Sequence, residues 1–96
     1  MVPSNRVATH PGVILLKEFL EPLGLTPKEL ANHLDLPAEK IENLIQAKRS
    51  VSPEIAWLLS EALETTPEFW SNLQSIHDLS VSRPSRHVQP LASVLH

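Results

Sequence analysis

Three times in 96 residues a hydroxyl side chain is followed by proline and, within two further residues, by glutamate: at Thr26-Pro27, Ser52-Pro53 and Thr66-Pro67. Each is the chemistry of a helix start. The hydroxyl accepts a hydrogen bond from the unpaired amides of the first turn, and proline suits the first helical position, where no amide partner is needed. At the first start Glu29 stands three residues after Thr26, which closes a capping box.

The stretch from Leu25 to Arg49 is the one around which the rest is arranged. Leu30, Ala31 and Leu34 have the spacing of an inward helical face, and Asp35-Leu36-Pro37 breaks that helix. A second helix follows from about Ala38. It carries Ile41, Leu44 and Ile45 on one side and Glu39, Glu42, Asn43 and Gln46 on the other. Two short helices, a tight turn and a long-polar outer face make a helix-turn-helix, whose second helix enters the DNA major groove. The plainer alternative is a helical hairpin in a small all-α domain.

Upstream, a helix is expected over about 12–21, ended by Pro22. Val13, Ile14, Leu15, Leu16, Phe19 and Leu20 nearly encircle it, leaving Lys17 and Glu18 as a polar strip. Such a helix is covered on more than one side, by the centre of the domain or by a second chain. Downstream, Ile55, Leu58, Leu59, Ala62 and Leu63 form the inward face of a helix over 53–63. Trp57 falls on its outer side, either at an interface or beneath the C-terminal tail. A last helix is expected from Pro67 to about Asp78 or Leu79, with Phe69, Leu73 and Ile76 inward and Trp70 and His77 at the edge. After it, Pro84 and Pro90 exclude a continuous helix, and 88–91 reads as a short strand or a mobile tail. The organisation expected is a flexible arm at 1–9, a helix-turn-helix domain at 10–79 and a tail at 80–96.

The net charge of −3 is unusual for a DNA-binding chain, and its distribution matters more than its value. Residues 1–52 balance. Residues 53–79 hold Glu54, Glu61, Glu64, Glu68 and Asp78 with no lysine or arginine, and the tail adds Arg83 and Arg86. One face is therefore neutral and one acidic, which suits two different partners or simply solubility. There is no cysteine, so disulfides and thiolate metal sites are excluded. His10, His33, His77, His87 and His96 show no ligand spacing, no motif places a nucleophile beside a base, and two glycines cannot build a phosphate loop. Neither catalysis nor a cofactor is expected. No apolar run approaches the ~20 residues of a membrane span. The protein reads as soluble and cytoplasmic, with no membrane partner.

Three segments carry a family resemblance. His10-Pro11-Gly12-Val13-Ile14-Leu15, continued by Glu18-Phe19-Leu20-Glu21-Pro22-Leu23-Gly24-Leu25, is similar to an "HPGEIL…EFLEPLGL" pattern. Thr26 to Arg49 is the helix-turn-helix, closing on Gln46-Ala47-Lys48-Arg49. Thr65-Thr66-Pro67-Glu68-Phe69-Trp70-Ser71-Asn72-Leu73-Gln74 is similar to "TSPEFWLNLQ". Together they resemble HigA-type antitoxins, also described as virulence-associated protein I, of the Cro/lambda-repressor-like superfamily. The resemblance implies an all-α, five-helix lambda-repressor-like domain. It implies a homodimer that binds double-stranded operator DNA, represses its own operon and neutralises a small basic ribonuclease toxin of the HigB/RelE-like kind. A stand-alone transcriptional regulator, or a toxin-binding module with weak or no DNA binding, remains the alternative.

On this reading Pro37, Ala38, Glu39 and Lys40 stand at the groove-facing start of the recognition helix, with Asn43 and Gln46 further along. Glu39 accepts from cytosine and Asn43 pairs with adenine. Lys28, Lys48 and Arg49 bind phosphates. Leu16, Trp57 and Glu61 are expected at the dimer or partner interface. The chain departs from the family by placing Asp35, Ala47 and Glu64 where glycine is usual. Ala47 in particular implies either a strained loop or a recognition helix one residue longer. Pro27 also stands where relatives often have glutamine, which removes a donor.

Overall fold

The computed structural model describes residues 7–94 and, among them, contains helices and no strand. The expectation of an arm at 1–9 therefore falls largely on residues outside the described ones. All four helix starts at His10, Thr26, Ser52 and Thr66 use a side-chain cap. His10 Nδ1 accepts from the Gly12 amide at 2.9 Å, Thr26 from Glu29, Ser52 from Ile55 and Thr66 from Phe69. The capping box is complete, since the Thr26 amide donates to Glu29 Oε1 at 2.9 Å.

Helix α1 is continuous over 11–23 but changes gauge. Pro11–Ile14 is α-helical, Leu15–Leu20 is a π-helical turn, and Glu21–Leu23 is α-helical again. Pro22 does not end this helix, contrary to the sequence expectation. Inside a regular α-helix its ring would clash with the carbonyl four residues back. The preceding π turn, in which the Glu21 amide reaches back to the Leu16 carbonyl, widens the helix ahead of that ring. It has a second effect. Leu15 and Leu20 lie about 140° apart on a regular α-helix, yet both are fully buried here. Val13, Ile14, Leu16 and Phe19 are half-buried within this one chain, and Leu23 at the end of α1 is exposed.

Helix α2 spans Pro27–His33, α3 Ala38–Ile45, α4 Pro53–Leu63 and α5 Pro67–Val81. A short turn, α6, follows at Leu91–Val94, and residues 88–90, where the sequence also allowed a strand, have no regular structure. A lone strand there would have no edge to pair with. Residues 82–92 are exposed throughout, and the molecule measures 60 × 23 × 23 Å.

The core is Leu15, Leu20, Leu30, Ala31, Ile41, Leu44, Val51, Ile55, Ala56, Leu59 and Trp70. Trp70 is its largest member, packed on Phe19 at 5.3 Å between ring centroids and on Phe69 at 5.0 Å. Its indole N–H donates to Thr65 Oγ1 at 2.8 Å, so a wholly buried tryptophan is satisfied. This corrects the sequence reading of α5. Trp70 is central rather than marginal, Phe69 lies at the surface edge, and Ile76 is 55% exposed. The inward face instead runs through Trp70, Leu73, Gln74 and His77. Its polar members have partners distant in sequence.

Gly12 sets the position of α3. A Cβ built there would lie 1.8 Å from the Leu44 carbonyl oxygen, so α1 crosses α3 with backbone against backbone. Only glycine permits that approach.

Helices α1, α2, α3 and α4 all close on a left-handed residue. Gly24, Asp35, Ala47 and Glu64 have φ of 68°, 58°, 59° and 55°. In each case the next amide reaches back to a carbonyl five residues earlier: Leu25 to Leu20, Leu36 to Ala31, Lys48 to Asn43 and Thr65 to Ser60, all at 2.9–3.0 Å. These are Schellman closures. Ala47 thus takes the strained arrangement rather than extending α3. Left-handed alanine and glutamate cost about 1–2 kcal/mol each. Part of that is recovered because a side chain restricts the unfolded chain more than glycine does.

Two stability measurements test these points. Ala47→Gly or Glu64→Gly is expected to raise stability by about 0.5–1 kcal/mol in denaturant titrations, each being freed of left-handed strain. No gain would mean that the φ values are relaxed by other contacts. Gly12→Ala is expected to cost at least the ~1–3 kcal/mol of an overpacked core, because the obstructing atoms are backbone. A neutral Gly12→Ala would show that α1 and α3 can separate freely.

Candidate nucleic-acid interface

The outer face of α3 is built by subtraction. Ile41 and Leu44 are buried, and Ala38 and Ile45 are half-buried against the core. Glu39, Glu42 and Gln46 are left exposed, flanked by half-buried Lys40 and Asn43. Lys28 on α2 is exposed, as are Pro37 at the head of α3 and Lys48 and Arg49 beyond its end. Apart from Lys28, the residues expected to meet DNA therefore lie along one helix and its two flanking turns. Ala38 differs from the rest in leaning on the core.

The two ends of α3 are prepared differently from those of its neighbours. Its N-cap is Pro37, which makes no side-chain cap, whereas α1, α2, α4 and α5 are all capped by a side chain. The first-turn amides of α3 are left without a side-chain partner, and such a helix end has the polarity to receive a phosphate.

At the other end, the loop carrying Lys48 and Arg49 is held at two points. Ala47 closes the helix. The Val51 amide donates to buried Gln74 Oε1 at 2.7 Å, and Gln74 Nε2 donates to Asp78 Oδ1 at 2.8 Å.

The sequence reading had no role for Gln74 or for the His10 side chain. Only their occurrence within the family-like segments marked them. Gln74's partner, 23 residues away, is set by the fold. His10 also meets His77 edge-on at 4.9 Å, and His77 Nδ1 donates to the Ala8 carbonyl at 2.8 Å. The Ala8 amide in turn donates to Ser80 Oγ at 3.0 Å.

Of the residues expected at an interface, Leu16 is half-buried against the core, while Trp57 is 59% exposed and Glu61 exposed. Trp57 is thus not covered by the described part of the tail.

Burial pushes the His10 imidazole below the ordinary histidine range, and the His77 ring beside it acts in the same direction. The Arg49 backbone and Asp78 oppose them in part. The fold therefore favours neutral His10, the form that can accept from the Gly12 amide. Its contribution is fully present above the unfolded value of about 6.5. It falls as pH drops through 6.5 towards the lower folded value, because the unfolded chain then binds more protons. His10→Asn keeps a capping acceptor without this titration. Denaturation midpoints between pH 7.5 and 5 are expected to decline less steeply for His10→Asn than for the parent. Parallel profiles would remove His10 as the source.

The helix-turn-helix family profile matches residues 16–70. An HTH-type transcriptional regulator of Haemophilus influenzae is 40% identical over 91 residues, which cover 94% of this chain and 85% of that protein. Antitoxin HigA-1 of Vibrio cholerae is 39% identical over 96 residues, covering 95% and 90% of the two chains. The solved structure of the Pseudomonas aeruginosa antitoxin HigA with the higBA promoter superposes with a TM-score of 0.81 at 30% identity, over 86% of this chain and 97% of that one. Common sequence over nearly the whole length and the same arrangement of helices agree: the chain belongs to the helix-turn-helix family, in the branch that holds the HigA-type antitoxins.

Proposed function

We propose that this protein is the antitoxin of a type II toxin–antitoxin pair, which binds operator DNA as a dimer to repress its own operon and neutralises a HigB/RelE-like ribonuclease. Its role is binding rather than catalysis. The observation that carries the DNA half of this reading is the preparation of α3. Its outer face is free, its N-terminal amides lack a side-chain cap, and the loop beyond it is fastened by Gln74. The relative solved with its promoter supports the same assignment.

In this reading two copies place α3 in successive major grooves, with half-sites about 34–36 Å apart. Pro37, Ala38, Glu39 and Lys40 stand at the start of the groove-facing helix, and Asn43 and Gln46 follow. Lys28, Lys48 and Arg49 meet phosphates and fix the register, while Asn43 and Glu39 read bases. The domain at 10–79 supplies this unit, with the arm at 1–9 and the tail at 80–96 outside it. Two carboxylates, Glu39 and Glu42, on the exposed face of α3 disfavour phosphate contacts along it. Affinity therefore rests on a few cations and on dimerisation.

Binding to operator fragments across a salt series tests the assignment. Lys48→Ala with Arg49→Ala is expected to weaken all DNA about equally. It should lower the salt slope by about two per protomer, roughly one for each phosphate that the variant no longer neutralises. Asn43→Ala is expected to relax sequence preference with little change in slope. A double variant that binds with the parent's affinity and slope would refute the phosphate roles. A parent that binds no operator would favour the toxin-binding module without DNA.

A further inference from the structure

Three adjoining hollows lie on the side of the domain formed by the end of α1, by α2 and by α4. Ala62 lines all three. The first is bounded by His33, Leu34, Leu58 and Glu61. The second opens beside Phe19, Pro22, Leu23 and Glu64, with Glu18 at its edge. The third lies between them over Leu25, Leu30 and Leu63, with Glu29 at its edge. Their volumes of about 240, 350 and 290 Å³ are at or below the ~300–1,000 Å³ of small-ligand pockets, and all three are open. They suit inserted side chains rather than an enclosed metabolite. No residue of α3 or of the loop at 46–52 lines any of them.

The floor of this surface is apolar and the rim is acidic. Leu23, 60% exposed, stands at one end. At the other, Glu54, Trp57, Leu58 and Glu61 follow the i, i+3, i+4, i+7 spacing of a single helix face. Trp57 thus stands in water between two carboxylates. Glu18, Glu29, Glu61 and Glu64 border the hollows without a lysine or arginine among the lining residues, and nearby Lys17 is paired with Glu21 at 3.3 Å. That charge selects the occupant. DNA is repelled. A second copy of the same face would set carboxylate against carboxylate, at a cost that disfavours self-pairing. A cationic protein surface with apolar side chains at its centre meets both features, and exposed tryptophan is a characteristic anchor of such contacts.

We infer that the face centred on Ala62, with Trp57 and the surrounding glutamates, is where this protein holds a small basic protein, separately from the face that meets DNA. The inference rests on the antitoxin reading in naming that partner as the toxin. It adds the surface, and it implies that DNA and partner can be held together.

The test uses full-length protein and, as binding partner, the small protein encoded by the reading frame adjoining its own, measured by calorimetry. Ala62→Arg fills the junction of the hollows and reverses its charge preference. Glu61→Lys with Glu64→Lys reverses the rim alone. Each is expected to weaken the partner at least 100-fold while operator affinity and thermal midpoint stay near the parent's. Lys48→Ala with Arg49→Ala is expected to do the reverse. Circular dichroism identifies an unfolded variant, and the rim variant, being wholly on the surface, keeps the test decisive if Ala62→Arg fails to fold. Parent-like partner affinity in the rim variant overturns this surface while leaving the antitoxin reading in place. A parent that does not bind the adjoining protein overturns both. Loss of self-association in the rim variant would identify the face as a dimer contact and overturn the inference as well.

Discussion

The crossing of α1 over α3 at Gly12 is the contact on which the rest of the molecule depends. With the Leu44 carbonyl where a Cβ would stand, the two backbones are fixed at a separation that no other residue allows. Leu15 and Leu20 then reach the core from one side of α1, aided by the π turn, and Ile41 and Leu44 reach it from α3. What faces outward from α3 is decided by what this crossing buries. The candidate DNA-facing surface is the remainder of a packing problem solved on the opposite side of the same helix.

The same economy governs the turns. Four helices end in one geometry, and at three of those ends the chain uses aspartate, alanine or glutamate in a left-handed conformation that glycine would enter more cheaply. The alanine lies next to Lys48 and Arg49. There the Schellman closure and the Gln74 bond to the Val51 amide hold the loop despite the strain. Backbone strain persists only where surrounding contacts over-determine it. The interior polar group Gln74 is therefore part of how the loop at 46–52 keeps its shape.

Charge divides the molecule further. The cations assigned to phosphate sit just beyond the end of α3 and on α2, while the segment from Pro53 to Leu79 has none. Folding gathers part of that acidic segment, together with Glu18 from α1 and Glu29 from α2, around an apolar floor. A modest net charge overall thus conceals one neutral face and one acidic face.

The sequence by itself determined the elements. Thr26, Ser52 and Thr66 with their prolines start α2, α4 and α5 as read, because caps and first-turn prolines act through neighbours a few residues away. The inward faces of α2 and α3 were equally legible from their spacing. The helix boundaries at Pro22 and Val81 were not, nor was the rotation of α5. There, adjacent Phe69 and Trp70 left the pattern ambiguous, and the buried positions include Gln74 and half-buried His77. A polar residue is buried only if a partner exists to satisfy it. For Gln74 that partner is the Val51 amide, and for His77 the Ala8 carbonyl. The candidate DNA residues could be named from helical periodicity, but the fastening of their loop could not. Neither could the gathering of glutamates from three helices around Ala62. Local chemistry specifies where a helix begins and which side is apolar. Only tertiary packing brings together residues far apart in the chain, and with them the support of one site and the whole of the other.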